Sequence, residues 1–314
     1  MTLKYEPLLE YYKVDHGKEI FLSGSLSELM FLDHVISSKT RRLLYQSDID
    51  ILWKRDNRLV RTSTEQTTAE LVVDTSECSP GYCRIKNVRS GGYESVATKE
   101  NDSPCAYGSL DSDYDYKRDI VPYFQCSGWD ETINNLLTRK TPSHWPTAEL
   151  MEEIRSTPIL LVHKIDPARK HEETDKYFRF SFSLVEKVLC RSLPHCFRYI
   201  YLCTKLMLKY FCHDTALKSY FIKTTLFHFL TDDFNEQEKF SDAPGWGVVA
   251  LIERLRNSFL ERNLRNFFVP EMNVLEGIEE SRLQQVVGKL EDILSQMELK
   301  ISKLSASVEV VDYR

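Results

Sequence analysis

The chain has 314 residues, which is long enough for one large domain or two lobes. Of these residues 42% are hydrophobic and 28% charged, which is typical of a globular protein. Its net charge of -6 lacks the basic excess of a dedicated nucleic-acid-binding protein. No run approaches the roughly 20 apolar residues of a membrane span, and the N-terminus is too acidic for a signal peptide. Eight scattered cysteines without a C-x-x-C pair are typical of reduced thiols. We therefore expect a cytoplasmic protein with no membrane partner.

The first half of the sequence combines strand-like runs with a long loop. Residues 4–14 favour a short helix. Apolar runs predict strands at residues 21–22, 49–53, 71–73 and 119–125. Residues 74–116 are rich in Ser, Gly, Asp and Tyr, which predicts a loop, and loops of this length are usually functional or mobile. Pro122 favours an edge position or a bulge in the last strand.

The second half has helical periodicity. Helix formers follow a proline in WPTAELMEEIRS, and apolar residues recur at helical spacing over residues 185–212 and 246–265. A three-four stripe from Leu283 to Leu304 predicts a last amphipathic helix. Trp246 and the pair Phe267–Phe268 are expected in the core. The fold class is therefore α+β, with a mixed first half and a helical second half.

Two aspartates, Asp48 and Asp50, stand one residue apart in an apolar run. On a strand, residues two apart project from the same face, so both carboxylates would aim at one point. A divalent cation would relieve their repulsion, and Mg²⁺ prefers carboxylate and phosphate oxygens. Asp119 opens another predicted strand and would supply the third carboxylate of a two-metal site. The alternative is that Asp-x-Asp is only solvated charge at a sheet edge.

A Gly-Ser pair precedes the aspartates. Gly24 lets the backbone approach a phosphate closely, and the Ser25 hydroxyl with neighbouring N–H groups can hold it. Most Gly-Ser pairs are simple turns. Gly-Ser followed by Asp-x-Asp on the next strand nevertheless resembles the layout of the nucleotidyltransferase superfamily.

Three segments of the second half carry a more specific resemblance. They are FRFSFSLVEK (178–187), SYFIKTTLFH (219–228) and FFVPEMNVL (267–275). In order and spacing they resemble blocks of cyclic GMP-AMP synthase (cGAS), and DIVPYFQCSGW (119–129) resembles the segment with its third metal-binding Asp. The wider group is the male-abnormal (Mab) domain family with its cGAS-like receptors, and SPGYCRI resembles the invertebrate members. The resemblance covers roughly residues 20–278.

The resemblance implies a bilobal nucleotidyltransferase fold, with a mixed β-sheet catalytic core in residues 1–165 and a helical Mab-type lobe in residues 166–314. It implies a cyclic dinucleotide synthase that joins ATP and GTP into a second messenger by two-metal phosphoryl transfer. It further implies an innate immune sensor of double-stranded RNA or DNA, and it leaves open self-association on ligand binding. One alternative is a catalytically inactive Mab-domain scaffold. Another, a nucleotidyltransferase that extends RNA ends, is disfavoured by the RFSFS and FVPEMN blocks.

Site residues follow from the same resemblance. It implies that Asp48, Asp50 and Asp119 hold two Mg²⁺ or Mn²⁺ ions. It implies nucleotide contacts for Gly24, Ser25, Arg179, Ser181, Ser183, Glu186, Lys205, Ser219 and Tyr220. Tyr220 would stack on a base, Arg179 would read a purine edge, and Lys205 would meet phosphate. Without the family, Tyr220 would be a core residue, Lys205 a solvated lysine, and the two serines of FSFS part of a half-buried strand.

Two departures from the family are visible. The segment HVISSKTRRLLYQ (34–46) lengthens the gap between Gly-Ser and Asp-x-Asp, and we expect it to extend a helix or to form a lid. The vertebrate zinc insert is missing. Cys190, His195, Cys196 and Cys203 lie in that region, but their spacing favours packed side chains over a four-ligand site, so no zinc is expected.

Overall fold

The structure, a computed structural model, describes residues 20–23, 28, 34–37, 43–46, 49–62, 70–95, 118–127, 145–169, 174–233, 240 and 242–311. Within these ranges the chain forms ten β-strands and seven α-helices. The strands are β1 (Ile20–Ser23), β2 (His34–Ser37), β3 (Leu43–Gln46), β4 (Ile49–Arg61), β5 (Leu71–Asp74), β6 (Tyr82–Asn87), β7 (Arg118–Cys126), β8 (Ile159–His163), β9 (Tyr177–Ser181) and β10 (Val308–Val311). The helices are α1 (Ala148–Ser156), α2 (Ser183–Arg191), α3 (His195–Phe211), α4 (Ser219–Asp233), α5 (Pro244–Leu260), α6 (Glu280–Ser295) and α7 (Met297–Ser307).

Seven strands form one mixed sheet in the order β1-β4-β5-β6-β9-β8-β7, and β7 pairs again with β4. The strand β4 makes this possible because it is 13 residues long: it pairs in parallel with β7 from Ile49 onward and with β5 at Val60 and Arg61. Pro122 pairs with β4, and the pairing of β7 with β8 begins one residue later. Within the described residues Pro122 therefore has the predicted edge character. The α+β class is confirmed.

The helices of the second half pack around α5, which contacts α3, α4 and α6. Phe267 and Phe268 are buried, as predicted, and the Phe268 ring stacks on Phe182 with centroids 4.4 Å apart. Burying each such side chain contributes about 1.5–3 kcal/mol. This aromatic contact ties the segment after α5 to the junction of β9 and α2.

Four details of the predicted helices and core differ from the structure. The periodic run over residues 185–212 is two helices, because Pro194 starts a new helix at α3. The C-terminal stripe divides into α6 and α7 at Gln296. Trp246 is not a core residue: it lies in the first turn of α5 and is 66% exposed. Part of the predicted loop over residues 74–116 is the strand β6, whose Tyr82 and Ile85 side chains are buried.

The segment HVISSKTRRLLYQ does not extend a helix. Its two ends are β2 and β3, which pair antiparallel, and β10 adds to β2 as a third strand. The β-branched residues of HVIS and the apolar residues of LLYQ, separated by a polar stretch, favour two short strands over a helix. The predicted helix over residues 4–14 lies outside the described residues. Across the part of the chain that is described, no helix combines the length and apolar character needed to cross a bilayer.

Candidate functional site

The candidate site has one part in the sheet, which we call the strand end: it comprises Asp50 and Asp119, close to the first residues of β4 and β7. These strands are parallel, and their register sets Asp50 opposite Asp119. Ser23, the last residue of β1, pairs with Asp50 from the other side. Two of the three predicted metal ligands are therefore neighbours in the sheet, beside the residue that immediately precedes Gly24. Asp48, Gly24 and Ser25 lie outside the described residues.

A cavity of about 640 Å³ lies between the sheet and the helical half. Six predicted nucleotide-binding residues line it: Arg179, Ser181, Ser183, Glu186, Ser219 and Tyr220. They come from β9, α2 and α4, so residues up to 41 positions apart in the sequence converge on one space. The volume is in the usual range of small-molecule sites.

The helix α2 connects this cavity to the strand end. Its Leu184 packs against a buried cluster that includes Leu52 and Tyr123. Leu52 follows Asp50 by two residues on β4, and Tyr123 lies on β7. The helix also contacts β1. The wall that carries Ser183 and Glu186 is thus packed directly on the strands that carry Asp50 and Asp119.

Two helices begin at the cavity. Ser183 is the first residue of α2 and Ser219 the first of α4, and both line the space. The first N–H groups of a helix lack intrahelical acceptors and favour anions. Ser181 ends β9, and its hydroxyl lies 3.1 Å from that of Ser183. The two serines therefore mark a strand-to-helix junction rather than an alternating strand.

Arg179 is held in the cavity wall by β6. It pairs with Tyr82 across the sheet, and burial raises the pKa of the Tyr82 hydroxyl while the nearby Arg179 charge opposes this rise. The turn that precedes β6 is fixed by Asp166, whose carboxylate accepts hydrogen bonds from the Ser79 N–H (2.7 Å) and the Ser79 hydroxyl (2.6 Å). Gly81 has a φ of +83°, which favours glycine. The backbone of β9 that carries Arg179 is thus paired with β6, and the turn that leads into β6 is itself fixed.

Tyr220 is half-buried at the cavity, so it is both a packing residue and a wall of the site. Its hydroxyl accepts a hydrogen bond from Asn266 Nδ2 at 2.9 Å. Asn266 Oδ1 in turn accepts from the N–H groups of Phe268 and Val269. Burial, reinforced by the nearby Glu186 carboxylate, raises the pKa of Tyr220 to about 12. The hydroxyl therefore stays protonated and the ring is held by the segment after α5.

Sequence reasoning missed a buried ion cluster beside the cavity. Lys223 Nζ on α4 donates to Glu28 Oε1 at 2.8 Å and to Glu186 Oε2 at 2.6 Å. The sequence held two signals for it: Lys223 and Glu186 lie in segments that carry the family resemblance, and Lys223 follows Ser219 by four residues, which places both on one face of α4. Lys205, predicted to meet phosphate, is buried on α3 with its ammonium 5.9 Å from the Tyr201 ring centroid, and it is not part of the cavity lining. Its phosphate contact stays a prediction.

The cysteines in the region where vertebrate relatives carry the zinc insert lie on α2 and α3. Cys190 is buried, and burial raises the pKa of its thiol and of Cys203. Among the side chains that the structure describes, no three His, Cys, Asp or Glu groups are arranged to hold a metal ion. The side chains of the three predicted aspartates are not among those described.

Two family models match the chain. Residues 57–192 match the Mab-21 protein nucleotidyltransferase domain, and residues 201–292 match the Mab-21 protein HhH/H2TH-like domain. The first range covers the last five residues of β4 and all elements from β5 to α2, and the second covers α4, α5 and most of α3 and α6. These matches agree with the strand-rich core and the helical half described above. The chain therefore belongs to the Mab-21 family, with a nucleotidyltransferase domain followed by a helical C-terminal domain.

Proposed function

We propose that the chain is a cGAS-like nucleotidyltransferase that joins two nucleoside triphosphates, ATP and GTP, into a cyclic dinucleotide second messenger. The observation that carries the proposal is the cavity, because it gathers six residues that the resemblance assigns to nucleotide binding. Its lining carries four cationic side chains and three acidic ones, and this net positive charge suits an anionic ligand; they are Lys164, Arg179, Lys218 and Lys223 against Glu186, Glu271 and Glu276. Two helix N-termini at the same space add to that preference.

Asp48, Asp50 and Asp119 would hold two Mg²⁺ or Mn²⁺ ions. The register of Asp50 and Asp119 fits this donor set, because it brings two carboxylate residues together on adjacent parallel strands. When bound, the ions would activate the attacking ribose hydroxyl and neutralise the departing pyrophosphate. Asp119 would also orient that hydroxyl or accept its proton.

The remaining residues bind and orient the substrates. Tyr220 presents a ring to a base with little discrimination between bases. Arg179, which lies on β9 opposite Tyr82 and lines the cavity, is suited to read the acceptors of a purine edge. Ser183 and Ser219, at the two helix starts, would hold phosphate oxygens together with Gly24 and Ser25. Such positioning supplies much of the rate in phosphoryl transfer, where the protein does little covalent chemistry.

The biological setting follows from the same resemblance. We propose cytoplasmic activation by double-stranded RNA or DNA, as an innate immune sensor. Because the net charge is -6, contact with nucleic acid would depend on local basic side chains, and the activation would weaken steeply with salt.

The test is a product assay. The chain is incubated with Mg²⁺ or Mn²⁺, the four labelled triphosphates and double-stranded RNA or DNA, and a phosphatase-resistant product is sought. The matched control is Asp48→Asn with Asp50→Asn, which should yield none. A wild-type chain that makes no product with any activator, while remaining folded, would favour the inactive scaffold instead.

A further inference from the structure

Four elements outside the ranges that match the family models are joined to one another in the structure. The strands β2 and β3 precede the first matched range, and α7 and β10 follow the second. The strand β10 pairs antiparallel with β2 over its whole length, from Val308 opposite Ser37 to Val311 opposite His34. The segment that lengthens the gap between Gly-Ser and Asp-x-Asp is therefore paired with a strand that comes from the helical half.

The strands β2 and β3 depend on β10 for their stability. Each of the three strands is only four residues long, and β2 lies in the centre. Two strands alone are marginally stable in water, and a third strand is usually needed. Within the described residues, neither β2 nor β3 pairs with a strand of the seven-stranded sheet. Loss of β10 would therefore leave an isolated pair that is too short to persist.

The helix α7 fixes β10 to the helical half. No residue separates α7 from β10, and α7 packs on both α3 and α6. Its Leu304 is buried. The Lys300 ammonium lies 4.9 Å from the ring centroid of Phe211 on α3, and it also pairs with Asp292 on α6. The strand is thus the direct continuation of a helix that is held at two other helices.

The other side of the small sheet leads to the strand end. The strand β3 ends at Gln46, and β4 begins at Ile49. Asp50 is the second residue of β4, where the register sets it opposite Asp119. The strands β10, β2 and β3 therefore form a continuous hydrogen-bonded connection from the helical half to the chain just before β4.

We propose that α7 and β10 (residues 297–311) form a strap, which ties the helical half to β2 and β3 and thereby restrains the start of β4. The cavity lies between the sheet and the helical half, and the strap joins the same two parts by a separate route. It keeps the strand end in a fixed position relative to the helical wall of the cavity. The inference rests on the proposed function only for its effect on product formation, because the restraint is a property of the fold.

Hydrogen–deuterium exchange tests the restraint without any need for activity. The full chain is compared with Glu309→Pro with Val310→Pro, and with the control Asp312→Pro one residue beyond β10. Neighbouring residues of a strand direct their N–H groups to opposite sides, so one of the two prolines removes a donor that faces β2. Exchange should accelerate about tenfold in β2, β3 and the first residues of β4, with α5 unchanged. The control should match the wild type. A change confined to residues 297–311 and β2 would overturn the proposal.

A disulfide tests the strap in the opposite direction and does not depend on the proline variant being folded. Val35 and Val310 are register partners. Opposed Cα atoms of antiparallel strands lie about 4.5–5.5 Å apart, within the span of a disulfide, so Val35→Cys with Val310→Cys should crosslink on oxidation. The control, Val35→Cys with Glu309→Cys, is one residue out of register and should not. The oxidised chain should exchange about threefold more slowly at the start of β4 than the reduced chain. Absence of the crosslink, or equal exchange in both forms, would overturn the proposal.

Product formation gives a separate measurement. If the strap holds the strand end against the wall, the proline variant should lower kcat about fivefold while the KM for triphosphate stays within about twofold. An unchanged kcat would overturn the link between the strap and activity. A wild-type chain that makes no product would contradict the proposed function instead, and exchange and crosslinking would still decide the strap.

Discussion

The strand end of the candidate site and its helical wall both carry carboxylates, but they accommodate them differently. On the wall, Glu28 and Glu186 are buried against Lys223. At the strand end, Asp50 and Asp119 are set side by side by the register of two parallel strands, with Asp48 nearby in the sequence. On the wall the protein itself supplies a cation, Lys223, whereas at the strand end the counter-charge would come from metal ions. The same residue type therefore has a structural role in one region and a proposed catalytic role in the other.

The largest expected effect is a loss of product formation when the strand end is altered. Asp48→Asn with Asp50→Asn should lower product formation by about 10³-fold or more, because several kcal/mol of charge stabilisation depend on the ions. The variant should fold as well as the wild type, since removing like charges does not destabilise an empty metal site. Product formation from labelled triphosphates and thermal unfolding are the two measurements. An equally active double variant would contradict the role of these aspartates.

The next largest effect is a loss of folding stability when the wall is altered. Lys223→Met should lower the free energy of unfolding by roughly 3–5 kcal/mol, because it leaves two carboxylates buried without their cation. The control is Arg262→Gln at an exposed pair, which should cost at most about 1 kcal/mol. Urea denaturation measures both. A loss for Lys223→Met no larger than that of the control would show that the cluster contributes little.

A smaller effect concerns substrate binding on the wall. Tyr220→Ala should raise the KM for triphosphate about tenfold, since stacking contributes ~1–3 kcal/mol per base. Tyr220→Phe keeps the ring and should lose less. Tyr199, which is 56% exposed on α3, gives the matched control, and Tyr199→Ala should leave the KM unchanged. If Tyr220→Ala resembles Tyr199→Ala, the ring is a packing residue only.

The smallest effect is a pH dependence of stability. The pKa of Tyr220 is raised from 10.0 to about 12, so the folded chain keeps a proton that the unfolded chain loses above pH 10. Stability should therefore fall between about pH 10 and pH 12, by at most ~1.4 kcal/mol per pH unit from this group. Tyr220→Phe should show a shallower fall in urea titrations across that range. Parallel curves would argue against the raised pKa.

The sequence predicted the strand end better than the wall. Runs such as IDILW and DIVPYF predict strands because most of their residues are apolar and adjacent in the sequence. The strands β1, β4, β5 and β7 lie where they were expected. The strand β6 was missed because its short YCRIKN run lies among Ser, Gly and Pro. Trp246 was wrongly predicted to be a core residue, because helical periodicity does not show which turns of a helix are covered by neighbouring elements.

The wall could not be derived from local patterns. Glu28 and Lys223 are 195 residues apart, so no periodicity or spacing links them, and only the fold brings them together. The family resemblance did find Arg179, Ser181, Ser183, Glu186, Ser219 and Tyr220, which share one cavity. Asn266 was missed because it acts on the Tyr220 hydroxyl rather than through a motif of its own.

Metal binding tests the central claim most directly. Mn²⁺ is titrated into the full chain with a non-hydrolysable triphosphate, and bound ions are counted by electron paramagnetic resonance in the wild type and in Asp119→Asn and Asp50→Asn. The account predicts two ions in the wild type, as in two-metal phosphoryl-transfer sites, and fewer in either variant. Equal Mn²⁺ binding by all three chains would contradict it, because Asp50 and Asp119 would then be neighbours in the sheet without forming a shared metal site.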